Sequence, residues 1–487
     1  VNQIELNKKK PDIIGHGHIG AGDEEIADKD GSSTADSAKD AKEKEAQNAQ
    51  HVQDALFSIS DWRDAIYARI VDKVGERHYW EDWAKDIAQI AERHVTRIKA
   101  ALEIPEKRAA FDEFVGELRA TINPGVTEPD AIDMLAQHII TKPVFDALFK
   151  DYAFAEHNPV SKAMQRMLDV LDDQGLDAET KTLEDFYHSV RVRAEGIDNH
   201  EGRQRVIVEL YDKFFKTALP KTADALGIVY TPIEVVDFII RATEQALTKH
   251  LGKSLSDEGV QIIDPFVGTG TFPVRLLQSG LIKPDDLLRK YTSELHANEI
   301  VLLAYYIAAV NIEAAFHDLT GGEYRPFEGI VLADTFQLAE GTAQLDGMDV
   351  LEGNSERAKK QKAQPITVVI GNPPYSVGQD SQNDDNQNLK YETLDKRIQE
   401  TYAAQSTATN KNSLYDSYIR AIRWASDRIK DEGVVAFVSN GGYIDGNTAD
   451  GLRKSLVEEF DAIYCYNLRG NARTAGEQRK KEAGNVF

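Results

Sequence analysis

An α/β fold with a mostly parallel sheet, preceded by an all-α domain, is the architecture the sequence predicts for this 487-residue chain. Three observations carry the prediction. From Tyr230 onward short β-branched runs alternate with helical stretches. Two of those runs stop abruptly at Asp264 and Gly371 and open into Gly- or Pro-rich turns. From about residue 51 to Pro220 the apolar pattern is helical. The length accommodates two or more domains, each burying its own core.

Residues 1–50 are polar, rich in Gly, Ala and Asp, and read as a flexible linker. His16 and His18 within it lack Cys or carboxylate partners at ligand spacing, so they read as loop residues and no metal is expected. In the helical part, 51–220, Trp80, Trp83, Ile87, Ile90, His94, Ile98 and Leu102 recur on one face, with His94 as a core histidine. Phe111, Phe114, Val115, Leu118 and Ile122 form a second stripe, broken by Asn123-Pro124-Gly125; Ile207, Leu210, Tyr211, Phe214 and Ala218 form a third.

The α/β part, 221–487, opens on a helix start, Tyr230-Thr231-Pro232-Ile233-Glu234. Thr231 is placed to cap, Pro232 to occupy the first turn, and Glu234 to complete a capping box. Val260–Ile263 then reads as a buried strand ending in Asp264-Pro265-Phe266-Val267-Gly268-Thr269-Gly270-Thr271-Phe272. A strand, a glycine turn and a helix present backbone N–H groups to a cofactor at the carboxyl edge of a sheet. The third glycine of the dinucleotide fingerprint is missing, since Phe272-Pro273 stand in its place, and this weighs against hydride transfer.

Tyr291–Ala297 reads as the second strand, followed by Asn298-Glu299-Ile300. Glu299 can accept from both hydroxyls of a ribose, or merely start the next helix facing solvent. It lies 299 − 264 = 35 positions after Asp264, against about 20 in the dinucleotide pattern. An extra turn or short helix over 283–290 would absorb the excess. A third strand, Ile330–Ala333, ends in Asp334-Thr335-Phe336.

The run Ile366–Ile370 stops at Gly371 and continues as Asn372-Pro373-Pro374-Tyr375. The prolines freeze the backbone, while the Asn372 amide oxygen and the Pro373 carbonyl can each accept one hydrogen of an NH2 group. Tyr375 offers a flat face for a planar base. Alone, the tetrapeptide would be an exposed turn; here it follows a glycine loop about a hundred residues upstream. Residues 376–412 are polar and read as a flap over substrate. Leu414–Ala425 reads as a helix, and Val434–Val438 and Phe460–Tyr466 as strands, the latter burying Cys465 as a small side chain.

In this order, the segments from Thr231 to Phe487 resemble the adenine-N6 DNA methyltransferases. The resemblance implies a Rossmann-like S-adenosylmethionine-dependent methyltransferase sheet. It assigns catalysis to Asn372, Pro373, Pro374 and Tyr375, with the target adenine flipped out of duplex DNA. It assigns the cofactor to Tyr230, Thr231, Pro232, Asp264, Phe266, Gly268, Thr269, Gly270, Thr271, Phe272, Glu299, Ile300, Asp334, Thr335 and Phe336. Tyr230-Thr231-Pro232 would lie beside the methionine moiety and Asp334 would accept from the cofactor's adenine. Methyl transfer from a sulfonium needs no metal.

More narrowly, Ile140-Thr141-Lys142-Pro143-Val144-Phe145, Asn412-Ser413-Leu414-Tyr415-Asp416 and Asn471-Ala472-Arg473-Thr474-Ala475-Gly476-Glu477 resemble type ISP restriction-modification enzymes. There a nuclease and an ATPase precede a helical coupling domain, the methyltransferase and a target-recognition domain. This chain is expected to hold the coupler and the methyltransferase, with the nuclease and ATPase linked upstream and target recognition downstream. Gly252-Lys253-Ser254 is no phosphate-binding loop, because Leu247 stands where the first glycine belongs. Glutamine or RNA amino methyltransferases use the same tetrapeptide and stay open as alternatives, as does a non-catalytic DNA-binding fragment.

The formal net charge of -24 argues at first against nucleic acid. Part of it is local: Ala21 to Gln50 contributes 4 − 9 = -5. The stretch carrying Arg469 and Arg473, followed by Arg479-Lys480-Lys481, is basic and reads equally as a phosphate-contacting or a plain solvated loop. One cysteine fits a reducing, cytoplasmic setting. The longest apolar run, Ile300–Val310, has 11 residues, short of the roughly 18–20 a membrane helix needs.

Overall fold

A computed structural model describes residues 90–148, 154–171, 231–340, 351–374 and 390–468, all within one unit, Lys73–Phe487. Tyr230, Tyr375, Arg469 and Arg473 lie outside the described residues, as do His16, His18, Trp80, Trp83, Ile87 and the stripe at 207–218.

Helices come first. The helical stretch 90–101 is followed by α1 (Pro105–Thr121). Its Phe111, Phe114, Val115 and Leu118 are buried at the i, i+3, i+4, i+7 spacing that puts them on one face. The expected breaker ends it: the Gly125 N–H donates to Asn123 Oδ1 at 2.7 Å, folding the chain back through an Asx turn. Helix α2 (Glu128–Leu148) opens on a reciprocal cap, in which Thr127 N–H and hydroxyl donate to Asp130 Oδ2 at 2.8 and 2.6 Å. After a short α3 (Phe154–His157), α4 (Pro159–Leu171) is capped by Asn158 Oδ1, which accepts from the N–H groups of Val160 and Ser161 at 3.0 Å.

The α/β part begins with α5 (Ile233–Ala246), continued by a π turn, Leu247–Leu251. The expected cap is not formed: Pro232 takes the capping position and no side chain bonds there, because the Thr231 hydroxyl is engaged elsewhere. Then follow β1 (Gln261–Asp264), α6 (Thr271–Gln278), β2 (Leu295–Glu299), α7 (Leu302–Thr320), β3 (Ile330–Leu332), α8 (Thr335–Glu340), α9 (Glu352–Ala363) and β4 (Ile366–Gly371). The chain goes on through α10 (Glu392–Ile398), α11 (Ser417–Arg428), β5 (Val434–Phe437) and α12 (Asp450–Glu459).

All neighbouring strands are parallel, in the order β3-β2-β1-β4-β5. The path runs outward from β1 to β3, then returns so that β4 lies on the other side of β1. The direction therefore reverses between β1 and β4, the place where open α/β sheets bind ligands beyond the strands' carboxyl ends. Strand residues alternate between two cores. Ile262, Val368 and Ile370 join the large cluster shared with the helical part, whereas Ile263 and Val369 pack with Trp424 and Ala425 on the opposite face.

Four expectations need correction. The second strand starts at Leu295, not Tyr291; the extra residues form short helical turns over Pro284–Glu294, and Tyr291 stacks on Phe316 at 3.8 Å. This is the insertion that lengthens the Asp264 to Glu299 spacing. Of the expected flap, residues 390–412 include a helix and a π turn rather than a coil. Residues 460–466 form no strand among the described residues; Tyr464 instead accepts from Lys249 Nζ at 3.0 Å, and Phe238 meets Tyr466 at 5.0 Å. With no ladder to shelter it, Cys465 is exposed rather than buried.

The apolar run at 300–310 enters α7, which is buried nearly all round because the helical part covers one side and the sheet the other. Among the described residues no helix is long and apolar enough to cross a membrane. Close packing sets one testable cost. A Cβ on Gly329 would sit 2.1 Å from the Leu295 carbonyl oxygen and 2.7 Å from the Phe327 ring. Gly329→Ala is expected to lower stability by about 1–3 kcal/mol, read by chemical denaturation.

Candidate active site

Four strand ends bring the expected residues to one edge of the sheet. Asp264 ends β1, Glu299 ends β2, Asp334 follows β3 and Asn372 follows β4. Gly371 packs so tightly beside β1 that a Cβ there would meet Asp264 Oδ1 at 2.7 Å. The glycine loop and the Asn-Pro-Pro loop are thus immediate neighbours across the reversal point.

The glycine turn is held from three sides. Gly268 and Gly270 have φ of 54° and 91°, a region that L side chains rarely adopt. The Thr269 carbonyl accepts from Asn311 of α7 at 2.9 Å. Thr335 ties the loops together, its hydroxyl donating to the Pro265 carbonyl and accepting from Asn298 Nδ2 at 3.1 Å. Thr335 thus serves as a brace. Phe272 is buried in the main core, while Phe266 stands edge-on to Phe336 at 5.5 Å and reaches Phe437 at 6.4 Å, an aromatic wall at the sheet edge.

The three carboxylates differ in how fully they are used. An ionised carboxylate offers about four acceptor positions. Asp264 is 1% exposed; Oδ1 accepts from the Phe266 N–H at 3.1 Å, and Oδ2 has no hydrogen-bond partner among the described residues. Burial pushes its pKa up to about 8. Glu299, far from facing solvent, accepts from Gly268 N–H at 2.8 Å and from Ile300 and Val301 N–H at 3.0 and 2.9 Å. Burial still pushes it up to about 7. Asp334 accepts four bonds: Phe336 and Gln337 N–H on Oδ1, Asn123 Nδ2 and the Tyr391 hydroxyl on Oδ2. Its pKa is raised by burial against the pull of the Tyr391 bond.

An orphaned buried oxygen on Asp264 fits a ligand that brings N–H donors and positive charge to the mouth of the glycine turn. The side chains of Asn123 and Tyr391 were not anticipated. Sequence marks Asn123 only as part of a helix breaker, and its pairing partner lies 211 positions away, so no local pattern signals it.

Beyond β4, Pro373 is buried and Pro374 exposed. The Asn372 Nδ2 donates to the Thr231 hydroxyl at 3.1 Å. With Nδ2 on Thr231, the Oδ1 end of the amide is directed away from Thr231. Thr231→Val is expected to lower the rate of methyl transfer about 5- to 10-fold. Thr231→Ser should restore the rate.

These strand-end carboxylates and the Asn-Pro-Pro loop coincide with a family match: the N-6 DNA methylase model aligns with residues 203–466, more than half of the chain. The chain belongs to the N-6 DNA methylase family. Membership implies a methyl-donor cofactor. Residues 79–202 of the methylase match the coupler domain of type ISP restriction-modification enzymes, the narrower resemblance drawn from its sequence.

Solved structures agree. A nuclease-deletion mutant of the type ISP enzyme LlaGI, in complex with a DNA substrate mimic, is 50% identical with a TM-score of 0.81, over 88% of this methylase and 35% of that chain. The ATP-dependent type ISP enzyme LlaBIII bound to DNA is 50% identical, TM-score 0.80, over 87% and 29%. The DrdV–DNA complex is 39% identical, TM-score 0.78, over 86% and 40%. The methylase therefore spans well under half the length of each. Comparison with curated proteins gives no match.

Proposed function

We propose that this methylase transfers a methyl group from S-adenosylmethionine to N6 of an adenine flipped out of duplex DNA, as the modification module of a type ISP restriction-modification enzyme. The observation that carries the reading is the close approach of Gly371 to Asp264, so near that a Cβ there would meet the carboxylate; it supports a donor loop lying against an amine-binding loop. S-adenosylmethionine supplies an electrophilic methyl group on a sulfonium. The Asp264 carboxylate receives the donor's ammonium, Glu299 its ribose and the Asp334 side its adenine. Phe266 and Phe336 keep water from that edge.

Asn372 Oδ1 and the Pro373 carbonyl accept the two hydrogens of the target amine. Their pull draws the nitrogen out of conjugation with the ring and aims its lone pair along the attack line, so orientation supplies most of the acceleration. Tyr375 stacks on the extruded base and offsets part of the cost of flipping. Arg469 and Arg473 serve DNA phosphates.

Residues 1–50 act as linker, 51–220 as coupling domain and 221–487 as methyltransferase, with nuclease, ATPase and target recognition supplied by other parts of the parent enzyme. A reducing cytoplasmic setting suits the exposed Cys465. The test is transfer of labelled methyl from S-adenosylmethionine to duplex DNA, compared with RNA and with a glutamine-bearing protein. Label in DNA at adenine N6 is the expected result; label in either other acceptor alone would reverse it.

A further inference from the structure

Asp334 presents a difficulty for any ligand that is to be recognised there. Its side chain already accepts four hydrogen bonds, two from backbone and two from side chains, which fills the acceptor positions a carboxylate has. An adenine amino group must therefore take the place of one of the present donors.

The two side-chain donors on Oδ2 are held very differently. Asn123 Nδ2 lies 2.6 Å from Oδ2, and the rest of the amide is locked, because Oδ1 accepts from Gly125 N–H at 2.7 Å. The backbone beside it is tied as well, with the Asp334 N–H donating to the Ile122 carbonyl at 3.2 Å. Moving Asn123 would unmake the turn between α1 and α2. Tyr391 reaches Oδ2 at 2.8 Å by one rotatable hydroxyl. Its ring is gripped independently, by the Phe336 edge at 5.3 Å and the Arg420 guanidinium 5.2 Å from the ring centre. Rotation about the Cζ–O bond can take the proton off Oδ2, whereas Asn123 cannot release its bond without moving the turn.

We propose that Asn123 of the helical part fixes the Asp334 acceptor, and that the Tyr391 hydroxyl competes with the donor's adenine amino group for Asp334 Oδ2 and gives up its bond on binding. Both are positioning residues for the donor site, and one comes from the coupler. The inference rests on the reading above that the donor is an adenosyl compound whose base lies at β3.

The two roles give opposite signs. Calorimetric titration of the full chain with S-adenosylhomocysteine, and with S-inosylhomocysteine, which carries a carbonyl in place of the 6-amino group, separates them. Tyr391→Phe keeps the ring packing and is expected to tighten S-adenosylhomocysteine about fivefold without tightening the inosyl ligand. Asn123→Ala is expected to weaken S-adenosylhomocysteine by a similar factor and to narrow its advantage over the inosyl ligand. Should Asn123→Ala fail to fold, the Tyr391→Phe arm decides alone, with its unliganded melting temperature as the check on packing. A Tyr391→Phe variant that binds S-adenosylhomocysteine no better than wild type, or that shifts both ligands together, overturns the proposal. Wild-type protein that binds neither ligand overturns the donor reading beneath it, and wild type that binds both equally overturns only the placement of the amino group at Asp334.

Discussion

Replacing Asn372 with alanine is expected to slow methyl transfer about 10²–10³-fold while leaving affinity for the donor close to wild type. The amine of adenine is a poor nucleophile because its lone pair is spread into the ring, and the acceptors at Asn372 and Pro373 act only on that amine. Their pull grows as the nitrogen becomes tetrahedral, so it is felt in the transition state more than in binding. Loss of a preorganised polar group of this kind costs about 10²–10³ in rate. The Asn372 side chain is anchored to Thr231, and the carboxylates proposed to bind the donor stand at or just beyond the ends of β1 to β3. Donor titration and single-turnover transfer, measured on the same variant, give the answer. A parallel fall in both would mean that Asn372 belongs to the donor site.

Asp264→Asn should show the converse pattern, together with a gain in stability at alkaline pH. Asp264 is buried with Oδ2 unpartnered and is held at about 8, against an ordinary value of about 3.9. Between those two values the folded chain binds more protons than the unfolded chain. Stability of the donor-free protein therefore falls as pH rises from about 4 to 8. Glu299 and Glu313, both pushed up to about 7 by burial, act in the same direction.

An asparagine there removes the Asp264 share, so the variant should melt above wild type at pH 8 and show a flatter pH profile. Donor affinity moves the other way. The ionised carboxylate is the form that receives an ammonium, so wild-type affinity should rise with pH through about 8, and the variant should bind about 10- to 100-fold more weakly. A variant that keeps full donor affinity would remove Asp264 from the site.

Some of this was legible residue by residue. The β-branched runs ending at Asp264 and Gly371 named their own strands because a buried parallel strand needs a continuous apolar run and a turn to end it. The stripe from Phe111 to Leu118 named its helix face for the same kind of reason. Misreadings occurred where local pattern and tertiary demand diverged. Tyr291 has the look of a strand residue, yet it stacks on Phe316 within a short helical insertion. The run at 460–466 is apolar and aromatic enough for a strand, but a strand forms only where a neighbour supplies hydrogen bonds.

The order of motifs along the chain, by itself, determined the fold class and the family, because each depends on residues adjacent in sequence. The tertiary structure alone decided how those loops are held. Thr231 is 141 positions from the Asn372 it steadies, and Asn123 is 211 from the carboxylate it fixes. Such pairs are made by the crossing of β4 back beside β1 and by the packing of the helical part against β3. Hydrogen bonds between residues so distant follow from where the chain has been carried, and no local propensity encodes them.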